Sequence, residues 1–332
     1  MNKITGLIIS AVLLSLILSG CVTPPGSVTE PSSPMRIGTS IWTGYSPLYL
    51  AKSLGYLDNQ PVRLMEYANC TEVVKGFSNS AIEAAALTLD DVFRLAQDGL
   101  DPVIILVTDV SNGADALIGR KGMKSVADLK GKKIGVETNA VGAYTLTRAV
   151  QLGGLALSDV ISVNMTIDEH FKAFEEGRVD AVVTCEPVKT QLIKKGAVVL
   201  FDSTKIPGEI VDVIVVRRNY LHDHPEQIKS LLQNWFKALA YIKSNPQDAA
   251  QRMAVRENLT PDQMGAALAG IIFPDREENR VMITGGSSPL IPAAERLKRV
   301  MIEQKLLQKD IDIKLLFPAP APVGHAVQPE KK

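Results

Sequence analysis

The chain has 332 residues, 46% hydrophobic and 22% charged, with 36 basic side chains against 36 acidic ones. That balance, with no basic stripe along the sequence, argues against nucleic acid or an anionic membrane surface as the main partner. The length is enough for two lobes with a sizeable core.

Lys3 and the apolar run from Ile4 to Leu18 have the order of a signal peptide, since ~15 residues are too few to span a bilayer as a helix. The run ends in Leu18-Ser19-Gly20-Cys21, which resembles the lipobox of bacterial lipoproteins, whose cysteine accepts a lipid. The expectation is a signal peptide over 1–20 and a lipidated Cys21 opening a tether over 21–35. Pro24, Pro25, Pro31 and Pro34 keep that tether extended. No second apolar run is long enough to cross a membrane. The protein is therefore expected on the periplasmic or outer face, anchored by lipid rather than integral. Residues 318–332 have a similar composition and read as a disordered tail.

From residue 36 onward short apolar runs alternate with amphipathic stretches, the pattern of an α/β fold with mostly parallel sheets. Strands are predicted at 36–40, 62–67, 84–87 and 103–108, then at 133–136, 161–164, 181–184 and 198–201, and finally at 212–217. Helices are predicted after Ser46-Pro47, with Ser46 as cap, and at 71–79, 89–97, 141–152, 167–176 and 187–195. Further helices are expected at 225–244, 246–253, from Thr260-Pro261 and at 293–305. Thr166/Glu169 and Thr260/Gln263 have capping-box spacing.

Residues 76–99 align without gaps to 173–196, matching Phe77 to Phe174, Ala84 to Ala181, Leu95 to Leu192 and Gly99 to Gly196. This reads as shared construction of two βα units. In open parallel sheets ligands bind beyond the carboxyl ends of the strands. Two lobes facing each other that way place Thr88 and Leu89 opposite Cys185 and Glu186. The chain is expected to pass to the second lobe near 117–121 and back near 211–215. Lobe one is then 36–118 plus 214–317, and lobe two is 119–213. Two crossovers make a hinge.

Several segments together carry a family resemblance: Ile41-Trp42-Thr43-Gly44-Tyr45-Ser46-Pro47, Ser111-Asn112-Gly113-Ala114-Asp115-Ala116, Ser125 through Lys133, Gly177 through Pro187, and Val211 through Arg218. Their order resembles ABC-transporter substrate-binding proteins of the nitrate/sulfonate/taurine type, also called SsuA/THI5-like or NMT1-like. The resemblance implies a type II periplasmic-binding-protein fold, two α/β lobes joined by two hinge crossovers. It also implies capture of a small-molecule ligand (a sulfonate, nitrate, taurine or pyrimidine-type solute) for a membrane permease driven by a cytoplasmic ATPase. Cys185 stands where many relatives have Trp before Glu-Pro, and Ser46 where several have Glu.

Strand exits supply the candidate ligand contacts. Trp42 and Tyr45 could stack on a ligand, with Ser40 or Ser46 donating hydrogen bonds; for Tyr45 the alternative is a packed turn. Asn69 and Thr71, with Thr71 as cap, and Thr138 and Asn139 sit at helix starts, where capping and ligand binding coincide. Thr88 belongs to the same set. Asp109 and Ser111 lead into the hinge, and Asp109 either recognises a ligand amine or anchors the loop. Glu186 and Asp212 carry the same two readings. Ser287 and Ser288 read as a cap for the last helix. Acidic candidates outnumber basic ones, which favours a neutral or amine-bearing ligand, although backbone amides also serve anions. Cys70 and Cys185 read as two partly buried thiols or as a pair.

No catalytic, metal or cofactor motif is found: the phosphate-binding loop, HExxH and GxSxG are absent. The expectation is a monomeric binding protein without cofactor, against two alternatives: a THI5-like pyrimidine-biosynthesis enzyme, or a surface lipoprotein that senses rather than transports.

Overall fold

The computed structural model describes residues 33–58, 60–138, 141–284 and 288–318. The expectations for Cys21, Asn139, Ser287, the signal peptide and most of the tether and tail lie outside the described residues. The first run of elements is β1 (Met35–Thr39), α1 (Ser46–Ser53), β2 (Val62–Glu66), α2 (Cys70–Ser78), β3 (Ala84–Thr88), α3 (Leu89–Gln97) and β4 (Pro102–Ser111). Next come β5 (Ala116–Gly119), β6 (Lys133–Val136), α4 (Val141–Leu152), β7 (Ile161–Asn164), α5 (Ile167–Glu175), β8 (Ala181–Thr184), α6 (Val188–Lys194) and β9 (Val198–Asp202). The chain continues through β10 (Val211–Arg217), α7 (Arg218–Asp223), α8 (Pro225–Ser244), α9 (Pro246–Glu257) and α10 (Pro261–Leu268). It closes with β11 (Ile271–Ile272), α11 (Arg276–Ile283) and α12 (Leu290–Glu303).

These strands form two sheets, ordered β11-β4-β10-β3-β1-β2 and β7-β6-β8-β5-β9. β3 is buried along its whole length, and β4 and β10 nearly so, because each is a run of apolar residues covered on both faces. β2 alternates half-buried and exposed residues, as suits an edge. Trp235 of α8 is fully buried in the cluster with Met35, Ile37 and Ile214, so this long helix closes one face of the first sheet.

The sheets are more mixed than expected. β1 runs parallel to β2 and β3, and β6 runs parallel to β7 and β8. β10, however, is antiparallel to both β3 and β4, and β5 is antiparallel to both β8 and β9. Each is the first strand after a passage between sheets, so each enters its sheet travelling away from the other one. Both passages fall earlier than the sequence reading places them. The chain leaves the first sheet after Ser111 and returns after Asp202, so Gly119 closes β5 and Val213 lies inside β10. Only four residues separate β5 from β4, and Asn112-Gly113 among them marks the turn that ends β4.

Three caps also differ. The 3-10 turn Thr43–Tyr45 runs straight into α1, so Tyr45 occupies the cap position and Ser46 lies inside the helix. The cap of α2 is Asn69, whose carboxamide oxygen accepts from Glu72 N–H at 3.1 Å, and not Thr71. The Thr260/Gln263 box is reciprocal, at 2.9 and 3.3 Å, and the Glu169 carboxylate accepts from Thr166 N–H at 3.0 Å. Ser288 stands one residue before the cap position of the last helix, which is Pro289, and its hydroxyl accepts from Leu290 N–H at 3.1 Å. α7 and α11 were not anticipated. α11 carries a legible signal, since Asp275 accepts from Glu277 and Glu278 N–H while Glu278 returns to Asp275 N–H at 2.7 Å.

Asn279 of α11 is buried and completes the ladder of β4: it accepts from Val107 N–H at 2.9 Å and donates to Val107 O at 2.7 Å. Asn279→Leu leaves both backbone groups unpaired, at about 1–3 kcal/mol each. The expected outcome in chemical denaturation is a loss of about 2–4 kcal/mol with the m-value unchanged; a loss below about 0.5 kcal/mol contradicts this role.

Candidate functional site

The carboxyl ends of β1 and β3 and those of β6 and β8 open on one enclosed cavity of about 50 Å³. The antiparallel strands bring the opposite end of their sequence to the same place: Asp212 is the second residue of β10, and Asp115 immediately precedes β5. Ser40, Trp42, Tyr45, Thr88 and Asp212 line the cavity from the first sheet, as expected, joined by Cys70. From the second sheet come Asp115, Glu137 and Cys185, with Val141 and Ile167 at two helix starts.

Register fixes the first wall. Asp212 pairs with Thr88 on one side and with Asp109 on the other, which sets a hydroxyl and two carboxylates in one row across three strands. Tyr45 donates its hydroxyl proton to Asp212 Oδ1 at 2.7 Å, and Trp42 Nε1 donates to Asp109 Oδ2 at 3.3 Å. Gly44 leaves room for the second bond, because a Cβ there would stand 2.1 Å from Asp109 Oδ2 and 2.2 Å from Trp42 Nε1. Thr88 holds the cap position of α3, yet its side chain caps nothing. Its Oγ1 has no partner in hydrogen-bonding geometry, Asp90 being near enough to feel its dipole but not to bond.

The loop 42–46 is held from behind. The buried Glu257 at the end of α9 accepts from the hydroxyls of Thr43 and Ser46, so Ser46 is spent on packing rather than on the cavity. Arg256 donates to Ser40 O at 2.8 Å, pairs with Glu66 and lies 3.9 Å over the Tyr49 ring.

Of the other sequence candidates, Thr71, Asn69 and Ser111 make contacts between the two halves, whereas Glu186 and Thr138 have local partners. Thr71 Oγ1 donates to Glu137 Oε1 at 2.7 Å, and Asn69 Nδ2 donates to Asp168 Oδ1 at 3.3 Å, so both join the first sheet's edge to the second's. Ser111 shares a hydrogen bond with Ser203 at 2.8 Å and accepts from Asp115 N–H at 3.1 Å, which ties the two crossovers together. Glu186 accepts from Thr190 N–H at 3.0 Å and pairs with Lys189 at 3.4 Å. Thr138 bonds Asn164 Oδ1 through its hydroxyl at 2.8 Å. None of these five, nor Asp109, is among the cavity-lining residues.

Sequence reasoning missed Asp115 and Glu137. Glu137 directly follows the strand Lys133–Val136, so the rule that selected Thr138 reached one residue too far. Asp115 was invisible because β5 was not read as a strand. Cys70 and Cys185, expected as partly buried thiols or as a pair, are both free, and both line the cavity. Burial pushes each thiol well above its ordinary range, and neighbouring carboxylates add to the effect.

Burial likewise raises every cavity carboxyl. Asp212 is pushed well above the carboxylate range by desolvation and then by Asp109; Asp115 rises to about 6, and Glu137 rises despite the bond from Thr71. Asp90, behind Thr88, rises to about 7 through burial and the charge of Asp91. These groups hold protons more tightly folded than unfolded, so the native state binds more protons than the unfolded chain from about pH 4 up to the folded values. Their stabilisation is complete below about pH 4 and is lost as pH rises through 6–7. The ligand-free protein is therefore expected to melt at lower temperature at pH 8 than at pH 5.5, and Asp109→Asn is expected to flatten that slope. A melting temperature that rises over this interval contradicts the assignment.

The NMT1-like family model matches residues 28–256. A putative aliphatic sulfonates-binding protein of Bacillus subtilis (strain 168) is 25% identical over 334 residues, covering 93% of this chain and 93% of its own. The taurine-binding periplasmic protein of Escherichia coli (strain K12) is 24% identical over 52% of this chain and 55% of its own. Among solved structures, the alkanesulfonate-binding protein SsuA from Xanthomonas axonopodis pv. citri, bound to MOPS, superposes with a TM-score of 0.72 at 18% identity, covering 84% of this chain and 96% of that one. With its two mixed sheets, double crossover and shared cavity, this chain has the type II periplasmic-binding-protein fold and belongs to the NMT1-like family.

Proposed function

We propose that the protein is an extracytoplasmic solute-binding lipoprotein of an ABC importer. It holds a small molecule between its lobes and delivers it to a membrane permease driven by a cytoplasmic ATPase. The observation that carries this reading is the joint construction of the cavity, since neither sheet encloses it alone. A solute there touches both lobes, so its binding energy favours the closed arrangement over an open one. The hydrogen bonds Thr71–Glu137 and Asn69–Asp168 are the contacts such closure makes. The sequence Leu18-Ser19-Gly20-Cys21 supports attachment through a lipid on Cys21, with the protein a monomer beside its permease.

Binding without turnover fits the cavity better than catalysis does. A nucleophilic cysteine needs a lowered pKa and an electropositive setting. Cys70 and Cys185 have the reverse, raised by burial among carboxylates. The relatives reported above are named for binding aliphatic sulfonates or taurine. The charge lining this cavity bears on whether that cargo transfers.

A matched solute at 100 times its Kd stabilises the folded state by about 2.7 kcal/mol. The expected result of a solute screen is a raised melting temperature, a smaller radius of gyration in solution scattering, and full recovery of unchanged solute. Thr88→Phe, which fills the cavity, is expected to abolish the shift. Chemical consumption of the solute, or a shift that survives Thr88→Phe, contradicts the proposal.

A further inference from the structure

We infer that the cavity takes a small organic cation, an alkylammonium or amidinium group, and not a sulfonate or other oxyanion. The inference rests on the reading of the cavity as a solute site and deepens it.

Three carboxylates line the cavity, those of Asp115, Glu137 and Asp212, with residue exposures of 6%, 6% and 3%. Among the described residues no Lys or Arg lines it. The nearby cations are already committed. Arg94 pairs with Asp91, and Arg256 with Glu66 and the carbonyl of Ser40. Lys189 reaches Glu186 and donates to the carbonyl of Gly113 at 2.9 Å. An oxyanion would therefore enter a buried acidic chamber without a counter-charge, which is among the costliest arrangements in a protein.

Three of the five helix starts around the cavity argue the same way; α1 and α4, which meet it through Tyr45 and Val141, carry no acidic residue in their first turns. A helix N-terminus ordinarily attracts anions. Here the first turn of α2 carries Glu72, that of α3 carries the buried pair Asp90 and Asp91, and that of α5 carries Asp168 and Glu169. The positive ends of these helices are already answered by the protein's own carboxylates.

One observation points independently to a bound molecule. Thr88 is 8% exposed and lines the cavity, and its Oγ1 has no hydrogen-bond partner. A buried hydroxyl left unpaired costs about 1–3 kcal/mol, which a ligand N–H in the cavity removes. It sits in register beside Asp212, so one ammonium or amidinium group can face hydroxyl and carboxylate together. Trp42 and Tyr45 add ring surface, which attracts cations. A cavity of about 50 Å³ limits the enclosed group to a few heavy atoms.

Binding of a cation is coupled to protons. The groups around the cavity are Asp115, Glu137 and Asp212, with Asp109 behind Trp42, the Asp90–Asp91–Arg94 cluster on α3, Asp168 on α5 and the Glu186–Lys189 pair. Tyr45, Cys70 and Cys185 stay neutral, their pKa values raised by burial. Burial raises the cavity carboxyls, Asp115 to about 6 and Asp212 well above the carboxylate range, so that the empty site carries protons at acidic pH and loses them as pH rises. A cation displaces them and binds more tightly as pH rises, by up to about tenfold per unit for each proton displaced; an oxyanion shows the opposite slope.

The test is calorimetry on the full-length protein with propylammonium, acetamidinium and propanesulfonate at pH 6 and pH 8, with scattering to follow compaction. The expected result is binding of at least one cation, tighter at pH 8, with compaction, and no heat from propanesulfonate. Asp115→Asn is expected to weaken the cation at least tenfold. Thr88→Val, nearly isosteric and without change of charge, is expected to weaken it several-fold and guards against misfolding of the first variant. Binding of propanesulfonate with compaction overturns the cation inference and leaves the transport reading standing. Failure of both cations to bind also overturns it. The transport reading itself falls if a solute binds without compaction, still binds Thr88→Phe, or is consumed.

Discussion

β10 enters the first sheet antiparallel, between β3 and β4, and most features of the cavity depend on that entry. A parallel strand in this position would present its carboxyl end to the cleft and send its amino end away. Running the other way, β10 delivers Asp212 to the cleft edge, in register with Thr88 and Asp109. Tyr45 is then drawn to Asp212 and Trp42 to Asp109, so the aromatic wall is positioned by the same carboxylates that charge the site. β5 does the equivalent in the second sheet, setting Asp115 beside Cys185 and Glu186 through the bond from Glu186 N–H to Ala114 O at 3.1 Å. Both strands follow crossovers, so hinge and binding surface are continuous stretches of chain.

The two crossovers are also tied to each other. Ser111 and Ser203 clamp the two crossovers to each other, and Asp115 N–H bonds the same Ser111 hydroxyl. Asp115 and Asp212 therefore lie immediately next to the two crossovers. On the far side Thr71 and Asn69 reach Glu137 and Asp168, where the lobes touch directly. Glu137 takes part in both the contact with Thr71 and the cavity lining.

Much of the architecture is legible in the sequence, because strands such as Ala84–Thr88 and Ala181–Thr184 are short apolar runs followed by polar exits and helices. Four of the lining residues (Ser40, Trp42, Tyr45 and Thr88) follow from the strand-exit rule, while Asp212, at the start of its strand, is a candidate only through its place at the hinge. What escaped was set by tertiary register. Nothing local distinguishes Asp212, which faces a cavity, from Asp109, which lies one strand over and braces Trp42. Thr71 has the composition of a helix cap, but Asn69 two residues earlier fills that role and frees Thr71 to bridge the lobes. Ser46 has the look of a donor to ligand, yet Glu257, far along the chain, claims its hydroxyl. The acidic bias visible in the sequence candidates becomes, in three dimensions, a cavity with carboxylates on both sides.

Native mass spectrometry of the full-length protein, isolated without refolding, tests most directly whether the cavity between the lobes is a ligand site. The account predicts a bound small molecule on the wild-type chain, absent when Thr88→Phe fills the cavity. An adduct that persists unchanged in Thr88→Phe, or a wild-type chain that carries none under any isolation condition, would contradict it.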